Sequence, residues 1–281
     1  MTARPSLASP LVIVGSGLVG ALLLVAVLAP FLAPFNPRDL TGDALEAPSG
    51  RHLLGTNNIG QDIASQLIWG ARMSLSLAVG AAGLSVAIGV LIGVMTGLVG
   101  GLLDVVVLRT IDVVLALPRL PLLVLVGALA GAGRVTLVLV IALLTWPVIA
   151  RLARAQTLTL RGRGYVVAAR GFGGGLGYVA RRHLIPALTP ILVTGFVAIA
   201  ANAVLLEAAL AFLGLSDPTA VSWGLVLNRA LNHPGIYYTS AWAWWLLPAG
   251  FAITLSVLGF AFLGVGLEPV VNPRWQRSAT R

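Results

Sequence analysis

Hydrophobic residues in this chain run in long uncharged blocks, separated by shorter stretches where arginine, aspartate, glycine and proline gather. Roughly 20 apolar residues, at about 1.5 Å each, cross a hydrocarbon core of about 30 Å, so blocks of this length predict membrane-spanning helices. Residues 5–37 carry no charge, and Leu11 to Phe31 predict the first span. Residues 73–103 predict a second, rich in Gly, Ala and Ser, small residues that let helices approach closely in lipid. A third is expected at about 105–131, although Arg109, Asp112 and Arg119 interrupt it. Pro118 and Pro121 break its hydrogen-bond ladder, so a kink or unwound turn near mid-membrane is expected there. The fourth lies at 135–150. The fifth begins at 184, carries Glu207 and ends near Leu213, and the sixth runs from Trp242 to Gly266.

The polar stretches divide the chain. Residues 1–72 form an N-terminal span and an external segment, 73–270 a five-span core with a loop at 151–187, and 271–281 a tail. Arg4 ahead of an apolar run is also the pattern of a signal peptide, but the run is long and no Ala-x-Ala site follows, so a retained helix is expected. In the loop, Val166 to Arg170 favours a short helix. A glycine break follows, and then a second short run that Pro186 is expected to stop.

Composition agrees with the pattern. Of 281 residues 58% are hydrophobic and only 10% charged, against about 25% charged in soluble domains; the mean hydropathy is +0.97. A net charge of +9 would suggest nucleic acid in a soluble chain; here the arginines gather between apolar spans and report topology, with the lipid bilayer as the partner. One side receives Arg4, Arg109, Arg151, Arg154, Arg161, Arg163, Arg170, Arg181, Arg182, Arg274, Arg277 and Arg281. The other receives Arg38, Arg51, Arg72, Arg134 and Arg229. The positive-inside rule then puts both termini and the loop in the cytoplasm. Every basic residue is arginine, so no Gly-Lys-Ser/Thr phosphate loop can be built from this chain. There is no cysteine, and His52, His183 and His233 are scattered, so no metal site is expected.

Charges inside spans are costly and usually paired. Asp112 can reach Arg109 or a partner chain. By helical rise, Arg119 and Glu207 both fall in the outer half of the membrane, so they are expected to form an ion pair. Arg151 and Arg154 are read as topology determinants.

Four stretches carry a resemblance. The run Tyr165 to Pro190 is similar to the cytoplasmic EAA loop of ABC-importer permeases, with Ala168, Ala169, Gly173 and Pro186 at matching positions and Val167 at the Glu position. The stretch Leu-Gly-Thr-Asn-Asn-Ile-Gly-Gln-Asp before the second span resembles the peptide/nickel class of those permeases, except that Gln61 and Gln66 stand where arginine is usual. Glu207 followed by Phe-Leu-Gly-Leu and Ser222-Trp223-Gly224 resembles the same class, as does Glu268-Pro-Val-Val-Asn-Pro-Arg-Trp, in the subunit type with an extra N-terminal span. The resemblance implies an all-α membrane protein with six transmembrane helices and the type I ABC importer (MetI-like) permease fold, in a bacterial or archaeal cytoplasmic membrane. It implies half of a heterodimeric pore, with a second permease subunit, two ATPase subunits that hold ATP and magnesium, and an extracytoplasmic substrate-binding protein. The chain itself would perform no chemistry. The loop would dock on an ATPase through Val167, Ala168, Ala169, Arg170, Gly173, Arg181, Arg182 and Pro186, leaning on apolar packing and on its arginines because Val167 replaces the carboxylate. Peptides are the expected substrate, nickel or another small solute the alternative. A stand-alone secondary transporter is disfavoured by the lack of an inverted repeat or an acid relay beyond Asp112 and Glu207. A non-transporting anchor is disfavoured by the polar breaks within spans.

Overall fold

A computed structural model describes residues 9–131, 133–217 and 219–271. The helices are α1 (Pro10–Leu32), α2 (Ile63–Val99), α3 (Gly101–Ala116), α4 (Arg119–Ala130), α5 (Arg134–Leu160), α6 (Gly164–Gly171), α7 (Leu176–Val179), α8 (Ile185–Phe212), α9 (Trp223–Leu231) and α10 (Leu247–Val271). The described residues contain no strand, only two isolated bridges, Leu40 with Gln61 and Thr56 with Asp62. Arg4, Arg274, Arg277, Arg281 and the second half of the motif that begins at Glu268 lie outside the described residues.

Five helical stretches are long and apolar enough to cross a membrane, and the pair α3–α4, bent by 84°, makes a sixth. The bend sits at Leu117–Pro118, where the expected unwound turn falls. The pair must cross, because α2 and α5 run parallel. Gly80 of α2 faces Val138, Gly89 faces Ile149 and Gly97 faces Thr157. The chain leaves α2 at one side and enters α5 at the other.

Several helices extend beyond the expected spans. Helix α2 starts at Ile63 because Asp62 caps it, accepting from the Ser65 backbone N–H at 2.7 Å, and it stops where Gly100 turns to φ 71°. Helix α5 continues past the expected end of its span at 150 to Leu160, carrying Arg151 and Arg154 on its last turns.

Small residues set the packing. A Cβ at Gly89 would come within 2.6 Å of the Ile149 Cβ, and one at Gly97 within 2.7 Å of Thr157, so α2 lies flush against α5. A Cβ at Gly15 would lie 2.7 Å from the Leu263 backbone nitrogen, which brings α1 against α10 in the same way. Outside the spans, His52 is buried and its Nδ1 bonds Asp62 Oδ1 at 2.9 Å, fastening residues 33–62 to the head of α2.

Gln61 and Gln66, the two departures from the usual arginines, are buried beneath this segment. Gln66 donates to Gln61 Oε1 at 2.7 Å, and the Gln61 amide donates to the Arg38 carbonyl at 3.0 Å. Neutral amides satisfy these buried backbone groups without bringing a charge under the cover.

Candidate functional site

The loop between α5 and α8 is anchored in the core. Val166 of α6, Val179 of α7 and Leu184 are all fully buried, and they join the main core cluster with Leu188 of α8. The His183 ring lies 5.8 Å from Tyr165 and 5.6 Å from Tyr178, clasping α6 to the start of the fifth span. At the glycine break, Gly173 takes φ 86°, a region only glycine enters cheaply, and its N–H bonds the Arg170 carbonyl. A Cβ at Gly174 would lie 2.5 Å from the Ala169 carbonyl oxygen, whereas Gly171, Gly175 and Gly177 face open space.

Pro186 does not stop the second run. Ala180–Leu184 form a π turn, and the helix continues through Pro186 and Pro190 to Phe212. Proline has no N–H to give and its ring collides with the carbonyl four residues back, so the ladder widens by one residue ahead of it instead of ending. The same device recurs at Trp242–Leu246, just ahead of Pro248.

The outward side of this loop is apolar and basic. Val167 is 56% exposed and Phe172 93% exposed. Ala168, Arg170, Arg181, Arg182 and Pro186 are exposed around them. Ala169 is the exception among the expected docking residues, since it packs inward against the core cluster. Phe172 went unremarked in the sequence, although an aromatic flanked by glycines (Gly171 and Gly173) is legible as one that cannot be packed locally. Such a surface can seat in an apolar cleft with an acidic rim.

Glu207 is buried at the other end of α8. The Ser74 hydroxyl of α2 donates to its Oε2 at 3.1 Å, and the Ser222 hydroxyl stands beside it. The expected pair with Arg119 is absent from the ion pairs of the described residues. Similar depth does not bring two side chains together when they face different neighbours. Trp223 completes the junction: its backbone N–H donates to Ser74 Oγ at 3.4 Å and its indole to the Leu67 carbonyl at 2.9 Å. Gly70 leaves room for Trp223, and Gly224 lies against Ala208 and Ala211, so the Ser-Trp-Gly motif locks α9 onto α2 and α8.

Asp112 pairs with Arg151 at 2.6 Å and with Arg109 at 4.0 Å, and Arg154 chelates Asp104, its Nη2 lying 2.6 Å from Oδ2. Arg151 and Arg154 are therefore ties between α3 and α5, not topology determinants alone.

Comparison with known proteins agrees with this architecture. Residues 89–277 match the family described as the binding-protein-dependent transport system inner membrane component. Residues 7–48 match the N-terminal TM domain of oligopeptide transport permease C. A protein of Brucella suis named as a peptide permease is 40% identical over 264 residues, covering 93% of this chain and 86% of its own. The di/tripeptide transport system permease protein DppC of Pseudomonas aeruginosa is 34% identical, covering 94% and 88% respectively. The dipeptide transport system permease protein DppC of Alkalihalophilus pseudofirmus is 31% identical over 94% of this chain and 86% of its own.

Proposed function

Since the chain belongs to the family of binding-protein-dependent transport system inner membrane components, we propose that it is one half of a heterodimeric pore for di- and oligopeptides. The named function of relatives similar along nearly its whole length supports peptides as the cargo. In this reading the chain sits in a bacterial or archaeal cytoplasmic membrane, with its termini and residues 151–187 inside. A second permease subunit completes the pore, an extracytoplasmic binding protein delivers substrate, and two ATPase subunits hold ATP and magnesium. The absence of lysine, and so of a phosphate loop, fits a chain that leaves nucleotide to its partners.

The observation that carries the coupling role is the outward face of α6 with Phe172. Val167 and Phe172 stand in water beside Arg170, Arg181 and Arg182, on a body whose inner side is continuous with α8. Closure of the ATPase pair on ATP would push this body as a unit. Because it passes into α8 without a flexible joint, the push would reach the pore helices and alternate their access. Val167 at the Glu position makes the contact apolar where a carboxylate is usual, and the arginines would meet acidic groups on the ATPase.

Val167→Asp and Phe172→Ala test this in the purified complex. Both sites face outward, so membrane insertion and thermal stability should be retained. Losing an apolar anchor at the centre of a contact costs about 2 kcal/mol, so substrate-stimulated ATP hydrolysis should fall about thirtyfold. Unchanged stimulation in both variants would remove the loop from the coupling role.

A further inference from the structure

At the end of the spans opposite the α5–α8 loop, a cleft of about 790 Å³ opens between the end of α1, the heads of α2 and α5, and residues 220–221. Three arginines from three different parts of the chain line it: Arg38, Arg72 and Arg134. Among the described residues none of those lining it is acidic. Arg72 lies over the Trp69 ring at 5.6 Å, and neither it nor Arg134 forms an ion pair among the described residues. Arg38 donates to the Thr219 carbonyl at 2.6 Å. It also lends a smaller share to holding Asp217 below the usual carboxylate range, which hydrogen bonds from Thr219 chiefly achieve.

Arginines are sparse at this end of the molecule. Of Arg38, Arg51, Arg72, Arg134 and Arg229, three converge on this one cleft. Asp217 offsets part of the Arg38 charge, but Arg72 and Arg134 face the cleft with no acid among its described lining residues, so the arrangement is one that an anion completes.

We propose that the cleft binds the phosphate of an anionic phospholipid. Its depth selects that anion: Pro30 and Ala33 at the end of α1 and Arg134 at the start of α5 place it where the hydrocarbon core gives way to headgroups. Its flank selects the lipid. Helix α1 packs only against α2 and α10 in substance, and its outer face leaves Leu24, Val27 and Phe31 bare below the cleft, a surface that acyl chains cover. Trp69 at the rim has the amphipathic ring favoured at this level of a membrane. In the orientation proposed above the lipid belongs to the outer leaflet, but the site itself does not depend on that orientation.

A photoactivatable phosphatidylglycerol in nanodiscs tests the site on the wild-type assembled complex. Crosslinks should map to residues 33–38 and 66–73. Excess unlabelled phosphatidylglycerol should compete them away, while inorganic phosphate or a dipeptide should not. Each basic group near a membrane surface contributes about a factor of five to anionic-lipid binding. Arg72→Gln with Arg134→Gln should therefore weaken phosphatidylglycerol retention about thirtyfold, and Arg51→Gln, outside the cleft, should leave it unchanged. Crosslinks that avoid these segments, or that form equally with a phosphatidylcholine probe, would overturn the proposal. So would competition by inorganic phosphate, which would make the site one for soluble anions. Competition by dipeptide would assign the cleft to transported substrate instead.

Discussion

A single buried acid shows what one residue can and cannot reveal in a sequence. Glu207 was legible as a charge inside an apolar span, since nothing else breaks residues 184–206 around it. Its partners were not. Depth follows from counting residues along a helix, but the direction a side chain faces depends on which helices surround it. The hydroxyls of Ser74, 133 residues away, and of Ser222 account for its hydrogen bonding. Glu207→Gln keeps a group of the same shape that can still accept that bond, so it should cost little. Glu207→Leu should destabilise by about 1–3 kcal/mol, because it leaves Ser74 unsatisfied in an apolar setting. A double-mutant cycle of Glu207→Leu with Ser74→Ala, read by thermal denaturation, should show coupling. The same cycle with Arg119→Gln should show less than about 0.5 kcal/mol. Appreciable coupling to Arg119 would restore the ion pair.

The glycines of the loop make the same point with opposite sign. Their number marks a break in the helix without saying which of them the turn requires, and the structure uses two of five for geometry. Gly173→Ala forces a side chain into positive φ and should cost about 1 kcal/mol or more. Gly174→Ala drives a Cβ onto the Ala169 carbonyl and should cost about 1–3 kcal/mol. Gly175→Ala and Gly177→Ala meet nothing and should be neutral or slightly stabilising. Melting temperatures of the four variants check this directly, and equal values would mean that the turn is not held in the conformation described.

At the scale of elements, the spans followed from hydrophobic block length, and the broken third span followed from Pro118. Those signals are local. What joins the elements is not local, and α3 shows this most clearly. Its buried anchor on α5 is Ile111 against Trp146 and Ala150, while most of its remaining apolar residues are exposed. The two ion pairs to α5 hold it as well, and they span 39 and 50 residues of sequence. No window of sequence contains both partners, so Arg151 and Arg154 could be read only as topology. The Arg154–Asp104 pair is bidentate and sheltered, the geometry in which an ion pair contributes measurably. Reversing either charge should loosen α3, detected as faster trypsin cleavage around Arg109. Exchanging the two, Asp104→Arg with Arg154→Asp, should recover most of the lost protection. If the exchange is no better than the single reversals, charge complementarity is not what binds α3 to α5.

For the whole molecule, alternation of sides was legible because every crossing flips the side of the next loop. The contacts support one consistent alternation: residues 33–62 meet the 219–223 segment through Arg38 and Thr219, and Arg161 reaches the Gly97 carbonyl at the opposite end. Which side is the cytoplasm is a separate matter, set by charge. Among the described residues Arg109 and the seven arginines from Arg151 to Arg182 share one side, while the other holds Arg38, Arg51, Arg72, Arg134 and Arg229. Moving arginines outward across a membrane is opposed during insertion, so the richer side is the one expected in the cytoplasm. The chain contains no cysteine, so single cysteines can be introduced without background. Gly162 and Ala44 are both exposed and lie on opposite sides. With an impermeant thiol reagent on intact cells, Ala44→Cys should label fully, while Gly162→Cys should label only after the membrane is opened. Labelling of Gly162→Cys from outside would invert the molecule and place the α5–α8 loop beyond the reach of any cytoplasmic ATPase.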